Sequence, residues 1–326
     1  MKGIDIIGVR DVHRLLLCSL FLLASCDDHE VNEIYLEGEP IPGIEIFFPL
    51  GFYDSEPLMP KISPDGTKLL FSGPASLPEW KGLWVMDLET QQKTLIHSGG
   101  RNGDWARDNE WIVFNIADQV YKVKKDASEL TQLTFNGRNF FPDWNPIGEE
   151  IVISGTVFTT TIDVNGNIIH LLEGAGGMPD WMTDTTIIGF KGFSSTSTWT
   201  QLTVYDLIKN EVVQVMDASI DQDNRYARAS PNNLKITFWN TKGIYVMNND
   251  GSQLKRIIPS HLYNNFKGNK KLYCNSPSWY PDSEYIIYDN FKITKSNKTS
   301  YGIQIEGIIR FCKVRVEDAL ATTNLK

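Results

Sequence analysis

The sequence predicts an all-β fold, a six-bladed β-propeller of four-stranded blades. Three observations carry the prediction. A ten-residue pattern occurs six times, and a further pair of strand-like runs follows its copies. Helix signals are nearly absent, while Gly, Pro, Asn and Asp punctuate short β-rich runs.

The first copy is Ile62-Ser63-Pro64-Asp65-Gly66-Thr67-Lys68-Leu69-Leu70-Phe71. Pro64 presets φ, Asp65 bonds nearby backbone and Gly66 accepts φ > 0, so this is a turn. Alternating apolar residues follow, so the turn joins two strands. The other copies begin at Trp105, Trp144, Trp181, Ala229 and Trp279 and align without a gap. Successive starts are 43, 39, 37, 48 and 50 residues apart. A period of that size, with several short strands in each, is that of propeller blades.

The first column of the alignment holds four of the nine tryptophans. It belongs on the innermost strand, where a large aromatic fills the wedge between neighbouring blades. The third strand of each blade reads Leu83–Leu88, Val120–Val123, Thr160–Val164, Leu202–Leu207 and Ile244–Met247. Asn165-Gly166 and Asp250-Gly251 then mark tight hairpins. Outer strands fall near Thr94–Ile96, Leu130–Leu133, Ile168–Leu172, Val212–Met216 and Leu254–Ile258. The sixth repeat lacks an outer strand, and Ile44–Phe48 is the expected donor. Asp289–Gln304 reads as a polar insertion, Ile308–Val316 as the third strand, and Glu317–Lys326 as a frayed tail.

Pro60–Phe71 with Trp84–Leu88, and Ser230–Phe238 with Ile244–Asn248, resemble the WD40-like PD40 repeat of TolB-type β-propellers. The copies at Trp105 and Trp181 lack the Pro of the turn. The resemblance spans about Pro57 to Val316. It implies fold more than task, because this propeller serves many functions.

The N-terminus reads as an export signal. Lys2, Arg10 and Arg14 precede the apolar run Leu15–Leu23, which is too short to span a membrane as a helix. Leu23-Ala24-Ser25-Cys26 fits the bacterial lipobox, which implies cleavage before Cys26 and lipidation of its thiol. Asp27-Asp28-His29-Glu30 resembles the export signals of surface lipoproteins in Bacteroides-like bacteria. The expected division is a signal peptide (1–25), an acidic tether (26–42), the propeller (43–318) and a C-terminal tail (319–326). The expected location is the outer membrane, lipid-anchored, on its periplasmic or cell-surface face. Cleavage removes three basic and two acidic residues, which takes the net charge from −9 to −10. That sign argues against nucleic acid as a partner, and membrane attachment would come from acyl chains. Cys274 and Cys312 remain, as either a disulfide or two thiols.

No hydrolase, zinc, redox or phosphate-binding motif is present. His29, His97, His170 and His261 fall at different points of different repeats, so neither a metal site nor a cofactor is expected. The column before the tryptophans reads Lys61, Asp104, Asp143, Asp180, Arg228, Ser278. Side chains alternate along a strand, so this column faces the channel if the tryptophans pack between blades. It is either a mutually paired structural set or part of a site. Arg101, Arg138, Arg225 and Tyr226 enter the same strands and would surround one mouth of the channel. The candidate binding residues are therefore Arg101, Arg138, Arg225, Tyr226, Asp104, Asp143, Asp180 and Arg228. The expectation is a monomeric, non-catalytic lipoprotein that binds an envelope protein or a glycan. The alternative is a polysaccharide lyase or other glycan-processing propeller.

Overall fold

The computed structural model describes residues 38–51, 57–155, 158–191, 201–215, 224–260, 272–300 and 302–322. Cys26, the signal peptide, the tether up to residue 37, His29 and His261 lie outside them.

Two strands precede the first blade, β1 (Glu39–Pro40) and β2 (Ile46–Gly51). Blade one is β3 (Lys61–Ile62), β4 (Lys68–Gly73), β5 (Gly82–Asp87) and β6 (Lys93–His97). Blade two is β7 (Gly100–Trp105), β8 (Trp111–Ile116), β9 (Gln119–Lys124) and β10 (Thr131–Gln132). Blade three is β11 (Asn139–Trp144), β12 (Glu150–Gly155), β13 (Thr159–Asp163) and β14 (Ile168–Leu172). Blade four is β15 (Gly177–Trp181), β16 (Thr186–Lys191), β17 (Gln201–Asp206) and β18 (Glu211–Val215). Blade five is β19 (Arg225–Ala229), β20 (Lys235–Asn240), β21 (Gly243–Asn248) and β22 (Lys255–Pro259). Blade six is β23 (Leu272–Trp279), β24 (Tyr285–Thr299) and β25 (Gly302–Arg315). Each blade is an antiparallel meander, and its first strand faces the first strands of both neighbours. The ring closes where β23 meets β3.

The fourth strand of blade six comes from the N-terminal side, as the repeat count required. β2 pairs antiparallel with β25, Ile46 opposite Ile309 and Phe48 opposite Gly307. β1 extends the same edge, with Glu39 opposite Lys313. Phe48 meets Phe291 edge-on at 5.7 Å between ring centroids. Closure from both ends of the chain covers the edge that the last blade would otherwise leave unpaired.

Two expectations are corrected. Asp289–Gln304 is not an insertion but the distal half of the long hairpin β24–β25. Phe291 and Ile293 point inward between exposed Lys292 and Thr294, which is strand alternation. A register shift between Ile293 and Lys295 then breaks the period. The tail is not frayed over its first part. Val316–Thr322 forms a helix, α1, which crosses the boundary drawn at residue 318 and buries Val316 and Ala319. Glu317 and Asp318 in its first turn suit the positive end of the helix dipole. Cys274 and Cys312 are both buried and are not joined in a disulfide.

The turns behave as their residues dictate. Asp65 Oδ1 accepts from the Thr67 amide and from the Ser63 hydroxyl, and Ser63 Oγ accepts from the Lys68 amide. These bonds satisfy the backbone that the turn removes from the ladder. Gly166 has φ +90°, and a Cβ there would lie 2.1 Å from the Leu133 carbonyl oxygen.

Candidate functional site

The tryptophan column packs between blades. Trp105, Trp144, Trp181 and Trp279 are each at least nine-tenths buried. Three of their indoles donate to the backbone of the preceding blade. Trp105 Nε1 reaches the Lys61 carbonyl (3.2 Å), Trp181 Nε1 that of Asp143 (3.2 Å) and Trp279 Nε1 that of Arg228 (2.9 Å). Trp144 instead donates to Gly148 in its own turn, at 3.1 Å.

The neighbouring column faces the axis and forms the floor of the channel. Lys61 Nζ lies 3.0 Å from Asp104 Oδ1, 3.0 Å from Asp143 Oδ1 and 3.5 Å from Asp180 Oδ1. Arg228 Nη1 stands 3.3 Å from the same Asp180 oxygen. The second oxygen of each carboxylate bridges to the next blade. Asp104 accepts from the Trp144 amide (2.8 Å), Asp143 from Trp181 (2.9 Å) and Asp180 from Ala229 (2.9 Å). Three blade junctions are therefore tied by the same bond, and one lysine draws the three carboxylates together.

The charges follow from this geometry. Burial and the Arg228 charge both oppose protonation of Lys61, but Asp104, Asp143 and Asp180 outweigh them and raise its pKa. Burial and the Asp143 charge raise Asp104, and the same two causes push Asp180 up to about 7. Asp143 is lowered despite burial, because Lys61, Arg228 and the Trp181 amide all favour its carboxylate. Three carboxylates against two cations would leave −1 with every group ionised, and the raised Asp104 and Asp180 bring the floor towards neutrality near pH 7.

A narrow cavity open to solvent, with room for about one water molecule, sits over this floor. Lys61, Arg228 and Ser278 line its base, and Tyr226, Phe141 and Met59 are in its wall. The hydrogen bonds of Arg228 all run through Nη1, so its other nitrogens carry none among the described residues.

Above the floor the innermost strands share a distortion. Each of β7, β11, β15, β19 and β23 carries a register shift that ends one residue before the tryptophan column. The residue three before that column has positive φ in all six blades: Met59 (50°), Asn102 (51°), Phe141 (49°), Met178 (47°), Tyr226 (54°) and Ser276 (46°). Only Asn102 is of a type that accepts this conformation readily. The next residue is Pro60, Pro142, Pro179 or Pro277 in four blades, where the bulge needs no ladder donor. Side chains of the preceding blade hold two of the bulges. The Asn102 amide donates to Ser72 Oγ (3.1 Å) and the Phe141 amide to Asn115 Oδ1 (2.9 Å).

At the equivalent place between blades six and one stands Asp289, 3% exposed. Burial pushes it up to about 7, although the Ser276 hydroxyl and the Leu58 amide beside it favour the ionised form. Asp289 Oδ1 and Ser276 Oγ make no hydrogen bond of normal geometry among the described residues.

The structure thus brings Asp104, Asp143, Asp180 and Arg228 together, around Lys61. Tyr226 joins them in the wall, and its hydroxyl is raised by burial to about 12 against the opposing charge of Arg225. Arg101 and Arg225 lie half-buried on β7 and β19, outside the cavity lining. Arg138 is further out, 3.3 Å from Asp118 and over the Phe140 ring at 5.3 Å. His97 and His170 lie apart, on the outer strands of blades one and three. Sequence reasoning missed Asp289, Ser276 and the positive-φ ring. The recurring proline one residue after that ring was the available signal.

No family model and no curated protein matches the chain. Solved structures do. A putative TolB from Agrobacterium tumefaciens is similar at 17% identity and a TM-score of 0.52, over 62% of this chain and 80% of that one. Hydrazine synthase of Kuenenia stuttgartiensis is similar at 14% identity and a TM-score of 0.52, over 74% of this chain and 80% of that one. A chain of a mitotic checkpoint complex is similar at 11% identity and a TM-score of 0.51, over 89% of this chain and 98% of that one. The likeness is one of architecture: the chain has a TolB-like six-bladed β-propeller fold.

Proposed function

We propose that the chain is a non-catalytic binding propeller that holds a protein or glycan partner at the mouth of its channel. The repeats are read as PD40-type. The leader and Cys26 support reading the protein as a Bacteroides-type lipoprotein of the outer membrane. One observation supports this reading best. A cavity opens on the propeller axis over a floor whose charges are locked to one another, so its walls are held rigidly. Rigid walls reduce the entropy lost on binding. Tyr226 and Arg228 line that cavity, and tyrosine and arginine dominate binding hot spots. In this reading Arg101, Arg138 and Arg225 would supply the outer rim.

The test is the triple variant Arg101→Ala, Arg138→Ala, Arg225→Ala. It should melt like the wild type and lose the partner captured from solubilised envelopes or the ligand retained on a glycan array. Retention of the partner by the folded triple variant would move the site to the blade edges or the opposite face. Release of unsaturated sugars by the wild type would replace binding with lyase chemistry.

A further inference from the structure

We infer that the narrow cavity over the channel floor is a binding site for one halide-sized anion, held by Arg228 and Ser278. The inference goes beyond the channel-mouth reading and needs no partner at the mouth. Four features of the cavity support it.

The first is a surplus of donors. Arg228 and Ser278 are each more than nine-tenths buried, and both line the cavity. The contacts of Arg228 run through Nη1, at 3.3 Å to Asp180, 3.4 Å to the Ala227 carbonyl and 3.5 Å to that of Pro179. Its Nε and Nη2 carry further N–H donors that are unspent among the described residues. Neither these nitrogens nor Ser278 Oγ belong to the unpartnered polar atoms that are sealed from water, so they open onto the cavity.

The second is that the acceptors of the floor are already engaged. Asp104, Asp143 and Asp180 each turn one oxygen to Lys61 and the other to a backbone amide of the next blade. None of the three lines the cavity. The Lys61 and Arg228 carbonyls accept from the Trp105 and Trp279 indoles. A water molecule must donate as well as accept, whereas a halide only accepts. A wall of donors over spent acceptors therefore suits the halide.

The third is sign. The charged groups that line the cavity are Lys61 and Arg228, both cations. Lys61 already meets three carboxylates, so it supplies field while Arg228 and Ser278 supply the hydrogen bonds. A metal cation would meet two like charges and no carboxylate oxygen. Burial and the Asp143 charge raise Asp104 and Asp180, which leaves the two cations less opposed near pH 7.

The fourth is size. The cavity has room for about one water molecule. A halide ion is close to water in size, while phosphate, sulfate and sugars are much larger.

The test compares melting of the protein in sodium chloride and in sodium gluconate at equal ionic strength, gluconate being too large to enter. Chloride should raise the melting temperature saturably over gluconate. Crystals soaked in bromide should show an anomalous peak beside Arg228 and Ser278. The informative variant is Asp180→Asn with Arg228→Gln, which removes one charge of each sign, and its asparagine still accepts from the Ala229 amide. Chlorine NMR line broadening should show chloride bound at least about tenfold more weakly by this variant, while general salt effects on its melting persist. Ser278→Ala is the milder change and should weaken chloride several-fold, which keeps the test decisive where the double variant does not fold. Equal melting in chloride and gluconate, bromide found only outside the cavity, or a full chloride response in either folded variant would overturn the inference. The rim-arginine triple variant should keep the chloride response, so the ion site and the partner site fail separately.

Discussion

Lys61 Nζ and Asp143 Oδ1 lie 3.0 Å apart across the propeller axis, joining blade one to blade three. The same ammonium reaches Asp104 and Asp180, so one side chain bridges carboxylates from three consecutive blades. Removing one partner of a buried ion cluster leaves uncompensated charge, at a cost of roughly 3–5 kcal/mol. Lys61→Met should therefore lower the melting temperature by many degrees, measured by calorimetry at pH 7. A melt within a degree of the wild type would show that water reaches the floor and screens it.

The tryptophans provide a graded series. Trp181→Ala and Trp144→Ala should each destabilise by roughly 3–5 kcal/mol, as buried aromatic truncations do. Trp181→Phe keeps most of the packing but loses the bond to the Asp143 carbonyl, and should cost about 1 kcal/mol for that bond. Chemical denaturation curves with equal slopes would supply the comparison. Equal costs for Trp181→Phe and Trp181→Ala would mean the bond matters more than the packing.

Asp289 sets a pH dependence. Its folded carboxyl sits at about 7, against an ordinary value near 4 in the unfolded chain. Between those values the folded state binds more protons, so stability falls as pH rises from about 4 to 7 and the penalty is constant above. Asp180 acts in the same direction. Asp289→Asn can still accept from the Leu58 amide and carries no charge. It should stabilise the protein at pH 8 by up to about 4 kcal/mol and do nothing below pH 4. Melting curves across that range decide it, and an identical gain at every pH would refute the titration.

Two glycines with the same sign of φ should respond differently. Gly66, at φ +77°, has nothing within 4 Å of the place a Cβ would take, so Gly66→Ala should cost only the conformational term of about 1 kcal/mol. Gly166→Ala would press its methyl against the Leu133 carbonyl and should cost several times more. Urea titrations of the two variants would show the ratio, and equal costs would mean that the Leu133 loop yields freely.

Much of the architecture was legible because propeller repeats are local. The turn at Ser63–Gly66, the alternation after it and the tryptophan column all lie within ten residues of one another. The axial column was also legible as polar, but not its pairing. Which charges meet depends on which blades face across the channel, and Lys61 reaches three of them. The positive-φ ring was not legible, because Met59, Phe141, Met178 and Tyr226 are not residues that announce that conformation. The long hairpin was hidden by the register shift at Ile293–Lys295, which breaks the strand period among lysines. The terminal helix was visible in principle, since Val316, Ala319 and Leu320 have helical spacing.

The central claim is that the partner sits on the channel mouth, over the locked floor. Hydrogen–deuterium exchange of the protein with and without its bound partner tests this most directly. Protection should appear in the segments that enter the innermost strands, around 99–104, 138–144, 175–181 and 224–229, and should be absent from β6, β14 and β18. Protection confined to those outer strands or to the β24–β25 hairpin, with the channel segments unchanged, would contradict the claim.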